Sequence, residues 1–269
     1  MTLRLGFVGV GRWARKLAES FRACGAEIVA FDRGVVPATP DFWPPGFGVY
    51  SPWREQIERK SIDAIVAVAP PEITTAVAMA CAAEGKAVMA TKPLLRHPET
   101  ITNVFAVDFW RLWADVHTKW KDTFIGSFHG TIRYELSGAG PMRDFPGAFD
   151  YGPHVMAAVL DAAPRCRLSH RKRIESATGE LFGCTFGGGP LTGPVIMCEF
   201  GNGGTEGVRN IWGHEETPTH IGTQPKDEIM RAFCQSFLND VSEGFVSTKL
   251  LEYSREGMRL LRQIREVAK

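Results

Sequence analysis

The chain has 269 residues, 44% of them hydrophobic, and its 31 Lys and Arg residues against 30 Asp and Glu residues give a formal net charge of +1. This balance predicts a globular protein of about two modest domains, and it argues against a nucleic-acid footprint or a polybasic membrane anchor. No apolar run reaches the roughly 20 residues of a membrane helix, and the N-terminus lacks a signal-peptide pattern. Six scattered cysteines without a C-x-x-C pair favour reduced thiols, so we expect a cytoplasmic protein.

The first 103 residues alternate strand-like and helix-like segments. The predicted strands are Leu3–Val8, Glu27–Phe31, Asp63–Val68 and Ala87–Ala90, and the predicted helices are Arg12–Cys24 and Glu72–Ala83. Gly25 and Gly85 stand just past the two helices, where glycine commonly ends a helix. Such alternation predicts an α/β domain with a parallel sheet and helices on its faces. The Pro- and Gly-rich stretch Val36–Gly48 indicates an irregular excursion between strands.

Residues 104–269 have a different character. The predicted strands are Phe124–Leu136, Glu175–Gly183, Pro194–Phe200 and Glu206–Trp212, and the predicted helices are Tyr151–Ala162, Lys226–Glu243 and Leu250–Val267. Glycine-rich turns between the strands favour an antiparallel or mixed open sheet. We therefore predict an α+β domain over residues 104–269, following an α/β domain over residues 1–103. The terminal helices can pack back on the first domain.

A glycine-rich turn joins the first predicted strand to the first predicted helix. It reads Gly9-Val10-Gly11-Arg12-Trp13-Ala14, a G-x-G-x-x-A pattern. The first glycine permits the tight turn, the second lets the backbone approach a pyrophosphate, and the small sixth residue permits close packing of helix and strand. The N-terminus of the helix then offers N–H groups to the phosphates. This context predicts a doubly wound, Rossmann-type domain that binds a dinucleotide through Gly9, Gly11, Arg12 and Trp13.

The second predicted strand is followed by Asp32 and Arg33. Asp32 stands 23 residues after Gly9, close to the roughly 20 expected for a carboxylate that accepts hydrogen bonds from the adenosine ribose. Such a carboxylate favours NAD because it repels a 2′-phosphate. The adjacent guanidinium of Arg33 can hold that phosphate, so NADP is the alternative cofactor.

Three further motifs follow in order along the chain. They are a strand ending at Ala69-Pro70, the run Thr91-Lys92-Pro93 after the fourth strand, and Asp150-Tyr151-Gly152-Pro153-His154. With them the chain resembles a short, divergent member of the Gfo/Idh/MocA (glucose–fructose oxidoreductase/inositol dehydrogenase) family. The resemblance implies an NAD(P)-dependent enzyme that transfers a hydride between nicotinamide and a secondary alcohol or ketone of a sugar, cyclitol or related polyol.

The same resemblance assigns catalytic roles. Lys92, Asp150 and His154 would form the catalytic triad and also contact the substrate, with His154 as general acid/base, Lys92 polarising the substrate oxygen and Asp150 orienting the substrate hydroxyl or the histidine. Lys92, Ala69 and Pro70 would also line the cofactor. The roles agree with elementary chemistry, because histidine titrates near neutrality and ligands lie beyond the carboxyl ends of parallel strands.

Each catalytic candidate also has a purely structural interpretation. Lys92-Pro93 can mark a boundary between strand and loop, Asp150 can cap a helix, and His154 can be an ordinary buried histidine. The chain also departs from the family pattern at several positions. Thr91 stands at a position where the family usually has Glu, and the segment Leu94–Asn103 is shorter than the corresponding segment in the family. Thr74 also stands at a position where many family members have His, and Ala157 at a position where they often have Asp.

The segment after residue 104 supplies the substrate-pocket candidates, Trp110 and Arg111, which occupy the place of a pocket-lining strand end in the family. The spacing of His214 and His220 does not favour a metal site, so we predict none. We expect a homo-oligomer, a dimer or tetramer, formed through an open sheet face carrying Val195, Met197 and Phe200.

Three other functions stay open at this point. One is a non-catalytic regulator that senses a ligand on the same fold. Another is an enzyme that uses tightly held NAD for glycoside or group chemistry without net oxidation. The third is a different short two-domain dehydrogenase, such as one acting on an amino acid.

Overall fold

The computed structural model describes residues 2–32, 48–98, 105–108, 131–137, 148–162, 167–176, 179–187, 195–201, 209–212, 219–220, 226–245 and 249–266. The chain divides into two compact units. The first comprises Met1–Trp110 and Lys226–Glu252, and the second comprises Arg111–Pro225 and Tyr253–Lys269. The first unit therefore includes residues 105–108 and the helix that begins at Lys226, which lie beyond the sequence-based boundary after residue 103.

A six-stranded parallel sheet forms the centre of the first unit. Its elements are β1 Arg4–Val8, α1 Arg12–Ala23, β2 Glu27–Asp32, β3 Val49–Tyr50, α2 Trp53–Glu58, β4 Ala64–Ala67, α3 Pro71–Ala83, β5 Ala87–Thr91 and β6 Phe105–Asp108. The strand order is β3-β2-β1-β4-β5-β6, and every pair is parallel. This is the doubly wound order in which the direction of strand addition reverses between β1 and β4. The predicted Rossmann-type sheet is confirmed.

The central strands are apolar because helices cover the sheet. All of β4 and β5 is buried, as are Leu5 to Val8 of β1. Helix α1 buries one face, formed by Ala14, Leu17, Ala18 and Phe21, and the glycine just past it, Gly25, has φ +85°. The helix predicted over Arg12–Cys24 is thus confirmed.

Helix α5, Lys226–Glu243, packs on α1 within this unit. The ring of Phe21 lies edge-on to Phe7 of β1, with centroids 6.1 Å apart, and edge-on to Phe237 of α5, with centroids 6.0 Å apart. All three rings are 2% exposed or less. Each such buried ring stabilises the fold by about 1.5–3 kcal/mol, so these contacts fix a helix from the end of the chain on a domain built from its beginning.

Strand β3 and helix α2 are absent from the sequence-based prediction. Helix α2 is six residues long and buries only Gln56 and Ile57, too few for a periodic signal. Its attachment is partly polar, because the Gln56 side-chain amide donates to the carbonyl oxygens of Ser51 at 2.7 Å and Phe7 at 3.4 Å. A Cβ on Gly6 would lie 2.4 Å from Gln56 Oε1, so the glycine in β1 makes room for this side chain.

The second unit contains a mixed six-stranded sheet. Its strands are β7 Thr131–Ser137, β8 Arg167–Ser176, β9 Gly179–Gly187, β10 Val195–Gly201, β11 Arg209–Trp212 and β12 Thr219–His220, in the order β12-β11-β7-β10-β9-β8. The pair β7–β10 is parallel, and the other pairs are antiparallel. The predicted α+β character of this part of the chain is confirmed.

Helix α4, Ala148–Ala162, and helix α6, Lys249–Glu266, from Tyr253 onward, complete this unit. Helix α4 packs on β7, β9 and β10. On β9 and β10, Phe182 and Phe200 stack with centroids 6.0 Å apart. The phenol of Tyr253 on α6 donates to Asp161 Oδ1 on α4 at 2.5 Å. Helix α6 is thus tied to α4 by a hydrogen bond to a carboxyl group.

Two sequence-based expectations for this sheet are wrong. The single strand predicted over Glu175–Gly183 is two strands, since β8 and β9 pair with Ser176 opposite Gly179. The basic run 170–173 lies inside β8, where charged side chains hide the alternation of apolar and polar residues that is typical of a strand.

Phe200 was expected on the open sheet face of the oligomer contact, but it is 0% exposed and does not lie on an open face. Cys184 and Cys198 face each other on neighbouring strands, and within the described residues no disulfide joins them.

Candidate functional site

The first turn of the parallel sheet is built around Gly9. Its φ is +101°, in the left-handed region that favours glycine, and a Cβ there would lie 2.0 Å from the carbonyl oxygen of Val68. The Gly9 N–H donates to the carbonyl oxygen of Asp32 at 2.7 Å. Gly9 therefore brings the ends of β1, β2 and β4 into contact, and no other residue type fits there without moving backbone.

Gly11 occupies the N-cap of α1, with φ −67° and ψ 174°. It is exposed, and among the described atoms none lies within 4 Å of the position that its Cβ would take. The first turn of α1 carries no acidic residue, and within the described part of the chain no side chain caps the helix. A helix N-terminus open to a glycine-lined space suits a phosphate, because backbone N–H groups and the helix dipole both favour an anion.

Two further cofactor candidates, Arg12 and Trp13, begin α1 directly after Gly11. Arg12 is exposed and Trp13 is half-buried. Together with the open space above Gly11, an exposed cation beside the helix N-terminus fits the pyrophosphate of a dinucleotide.

Asp32 ends β2 and is 6% exposed. Its Oδ2 accepts the backbone N–H of Trp53, the first residue of α2, at 2.7 Å. The carboxyl group therefore has a structural role that sequence reasoning missed, because α2 was not predicted. The guanidinium of Arg54 lies 4.2 Å from the centre of the Trp53 ring. Arg33 lies outside the described residues.

The turn after β4 carries Ala69, half-buried, and Pro70, which is exposed at the N-cap of α3. The hydroxyl of Thr74 accepts the Ala69 N–H at 3.1 Å and donates to the Ala69 carbonyl oxygen at 2.9 Å. Thr74 is 0% exposed. The threonine that stands in place of a usual histidine thus clamps the turn that lies against Gly9.

Lys92 follows β5 directly and is half-buried, and its peptide bond to Pro93 is cis. The preceding Thr91 donates its hydroxyl to the carbonyl oxygen of Ala67 at 3.1 Å, which ties the end of β5 to β4. On the other side of Lys92, the Leu95 N–H donates to Thr75 Oγ1 at 3.0 Å. Residues 99–103 of the shortened segment lie outside the described residues.

The site candidates of the first unit lie at one edge of the parallel sheet. Val8 is the register partner of both Asp32 and Ala67, and Ala67 is the partner of Ala90, so β1, β2, β4 and β5 all end at the same level. The turns with Gly9, Asp32 and Ala69 and the start of the Lys92 segment follow those ends. The first unit therefore gathers its candidates where doubly wound sheets bind their ligands.

Asp150 and His154 belong to α4, in the second unit. Asp150 lies in the first turn of the helix, and its side chain is outside the described part of the chain. A Cβ on Gly152 would lie 2.5 Å from Leu261 Cδ2 and 2.9 Å from Phe200 Cε2, so this glycine lets α4 pack closely on α6 and the sheet. His154 comes two residues later, about 200° around the helix, and is 5% exposed.

Three further sequence-based expectations concern the substrate-pocket residues, a metal site and a membrane helix. Trp110 and Arg111 lie outside the described residues. Among the residues that the structure describes, no group of three or more His, Cys, Asp or Glu side chains could hold a metal ion. Within the same residues, none of the helices combines the length and the apolar character needed to cross a membrane.

A family model described as "Oxidoreductase family, NAD-binding Rossmann fold", that of Gfo/Idh/MocA proteins, matches residues 3–107. The N-terminal domain belongs to the Gfo/Idh/MocA oxidoreductase family. The match covers the sheet, the Gly9 turn and Lys92, and it confirms the family that the motifs indicated. None of the curated proteins matches the chain by sequence.

Solved structures resemble the chain over nearly its whole length. scyllo-Inositol dehydrogenase from Lactobacillus casei is 16% identical, with 99% of this chain and 97% of that chain covered and a TM-score of 0.73. Biliverdin reductase from a Synechocystis species, in complex with biliverdin and NADP+, is 16% identical, with coverages of 97% and 98% and a TM-score of 0.74. Levoglucosan dehydrogenase, in complex with NADH and levoglucosan, is 11% identical, with coverages of 100% and 97% and a TM-score of 0.79. At these identities the likeness establishes a shared fold.

Proposed function

We propose that the protein is an NAD-dependent dehydrogenase or reductase that transfers a hydride between nicotinamide and a secondary alcohol or ketone of a sugar, cyclitol or small polyol. The observation that carries the proposal is the N-terminus of α1, where none of the described atoms lies within 4 Å of the position that a Cβ on Gly11 would take. This helix end lies on the sheet edge where Lys92 follows β5. Membership of the N-terminal domain in an NAD-binding oxidoreductase family supports it.

NAD is the preferred cofactor in this proposal. The buried Asp32 carboxylate, held by the Trp53 N–H, is a fixed acceptor at the end of β2 and a fixed negative charge against a 2′-phosphate. Similar folds have been solved with NADH and with NADP+, so the fold alone does not choose between them. Arg12 would border the phosphates and Trp13 the nicotinamide. Ala69 and Pro70 would also contact the cofactor. NADP stays the alternative because Arg33 can hold a 2′-phosphate.

The proposed chemistry divides among three side chains. The bound nicotinamide supplies or accepts the hydride. His154 removes the proton from the substrate hydroxyl during oxidation and returns it during reduction, a step that histidine performs well near neutral pH. Lys92 places an ammonium charge on the same oxygen, and Asp150 orients the hydroxyl or the histidine. Trp110 and Arg111 are the proposed substrate-pocket residues.

The substrate class rests on the family resemblance and on the solved relatives of similar fold. One of them acts on scyllo-inositol and another was solved with levoglucosan, an anhydrosugar. Both ligands carry several secondary alcohols. We also propose that the protein is cytoplasmic and forms a homodimer or homotetramer. Phe200 is not among the proposed contact residues of that oligomer, because it is buried.

The decisive experiment combines binding and turnover. Fluorescence titration is expected to give an NADH dissociation constant in the micromolar range, and incubation with NAD+ and scyllo-inositol, myo-inositol, glucose or levoglucosan is expected to produce NADH. Failure to bind either dinucleotide would overturn the proposal. Binding without turnover of any polyol favours a ligand-sensing regulator, whereas NAD that stays bound through gel filtration without net oxidation favours group-transfer chemistry.

Replacing Asp32 tests the cofactor assignment. Asp32→Asn keeps an oxygen acceptor for the Trp53 N–H but removes the charge. We expect NADH affinity to fall about tenfold, or about 1.4 kcal/mol, and the preference for NADH over NADPH to shrink, with the melting temperature nearly unchanged. Asp32→Ala is expected to lower the melting temperature as well. An unchanged ratio of NADH to NADPH affinity in a folded Asp32→Asn protein would contradict the role given to the carboxylate.

A further inference from the structure

Two adjacent threonines in the first turns of α3 hold two different segments of the first unit. Thr74 is bonded to both backbone groups of Ala69, in the turn after β4. Thr75 accepts the N–H of Leu95, three residues beyond Lys92. Thr74 and Thr75 are 0% and 7% exposed, so both residues that make these three hydrogen bonds are buried. One helix turn therefore fixes the cofactor-side turn and the lysine segment at the same time.

The backbone around Lys92 is held on both sides by threonine hydroxyls. Before it, Thr91 Oγ1 donates to the Ala67 carbonyl oxygen at 3.1 Å. After it, the chain has left β5, and the Leu95 N–H would have to find a partner away from the strand ladder. Thr75 supplies that partner at 3.0 Å. Pro93 and Leu94, between the two anchors, are buried, whereas Lys92 itself is half-buried.

We propose that Thr75 is a positioning residue for Lys92: its hydroxyl fixes the segment after β5 and so sets where the Lys92 ammonium group stands at the sheet edge. This inference rests on the proposed function, in which Lys92 polarises the substrate oxygen. Thr74 acts on the cofactor side instead, through Ala69. Removing the Thr75 hydroxyl is therefore expected to change the reactivity of Lys92, whereas removing the Thr74 hydroxyl is expected to change cofactor binding.

The primary experiment measures Lys92 directly and needs no substrate. The full chain is labelled by reductive methylation, and the rate at Lys92 is compared with that at the exposed Lys16 in the same sample by peptide mass spectrometry. Thr75→Val removes the hydroxyl with little change of volume, and we expect the relative rate at Lys92 to rise at least threefold. Thr75→Ser keeps the hydroxyl and is expected to stay within about twofold of the parent protein. Thr74→Val, the matched control, is expected to leave Lys92 labelling unchanged and to weaken NADH binding.

Turnover adds a readout that a merely structural role would not move. Thr75→Val is expected to lower kcat about tenfold with NADH affinity nearly constant, and to have no further effect in a Lys92→Ala background, since residues that act through one another are not additive. Equal labelling in Thr75→Val and the parent, or a Thr75→Ser protein that behaves like Thr75→Val, overturns the inference. If Thr75→Val does not fold, Thr75→Ala takes its place. Unchanged turnover in Lys92→Ala overturns the catalytic role of the lysine instead, whatever Thr75 does.

Discussion

Replacing His154 with alanine is expected to lower polyol turnover about 10²–10⁴-fold, the usual contribution of a positioned general acid/base. The residue lies on α4, about 200° around the helix from Gly152, so it does not share the face that packs on Leu261 and Phe200. It is 5% exposed. NADH affinity is expected to change less than about threefold, because the proposed role of His154 concerns the substrate oxygen alone.

Controls separate catalysis from folding. Because His154 is buried, alanine leaves a cavity, and His154→Asn keeps a polar group of smaller size that cannot exchange protons near neutrality. Both variants are expected to lose turnover, and the asparagine variant is expected to retain more of the melting temperature. His170→Ala, at an exposed position on β8, is the matched control with full activity expected. Turnover that survives in both His154 variants removes the histidine from the mechanism.

Local signals in the sequence predicted the parallel sheet and its first turn. Each of these signals, an apolar run, a helical spacing or a glycine at a helix end, involves residues that are close together in the chain. They predicted the bounds of six elements within two residues at each end: β1, α1, β2, β4, α3 and β5. The Gly9 turn was identified because the chemistry of phosphate binding constrains a short contiguous pattern. The predicted catalytic residues depended on the family resemblance, since nothing in the spacing of Lys92 and His154 links them physically.

The contacts that the sequence did not reveal join residues far apart in the chain. Asp32 bonds to Trp53, 21 residues on, and Thr75 bonds to Leu95, 20 residues on. Helix α2 went unpredicted because its polar anchor, Gln56, looks like a surface residue. Strand β8 went unpredicted because it lies at the sheet edge, where charged side chains are tolerated and the alternation of apolar residues fades.

Gly9→Ala is expected to destabilise the first unit by roughly 3–5 kcal/mol, the range of severe backbone conflicts. Two effects add. A side chain is strained at φ +101°, and the new Cβ would lie 2.0 Å from the Val68 carbonyl oxygen and 2.7 Å from its carbon. Both are backbone atoms that cannot rotate aside, so β4 would have to move away from the turn. Urea denaturation is expected to show the loss, and NADH binding is expected to disappear with it.

Gly11→Ala is the comparison that separates the cofactor from the fold. Gly11 has φ −67°, and among the described atoms none lies within 4 Å of its would-be Cβ. Alanine is therefore expected to cost less than about 1 kcal/mol of stability, a modest N-cap effect. The methyl group would instead occupy the space through which a pyrophosphate approaches α1, and NADH affinity is expected to fall at least tenfold, about 1.4 kcal/mol or more. A Gly11→Ala protein that binds NADH as tightly as its parent would mean that no phosphate lies above this turn, and the proposed cofactor site would fall with it.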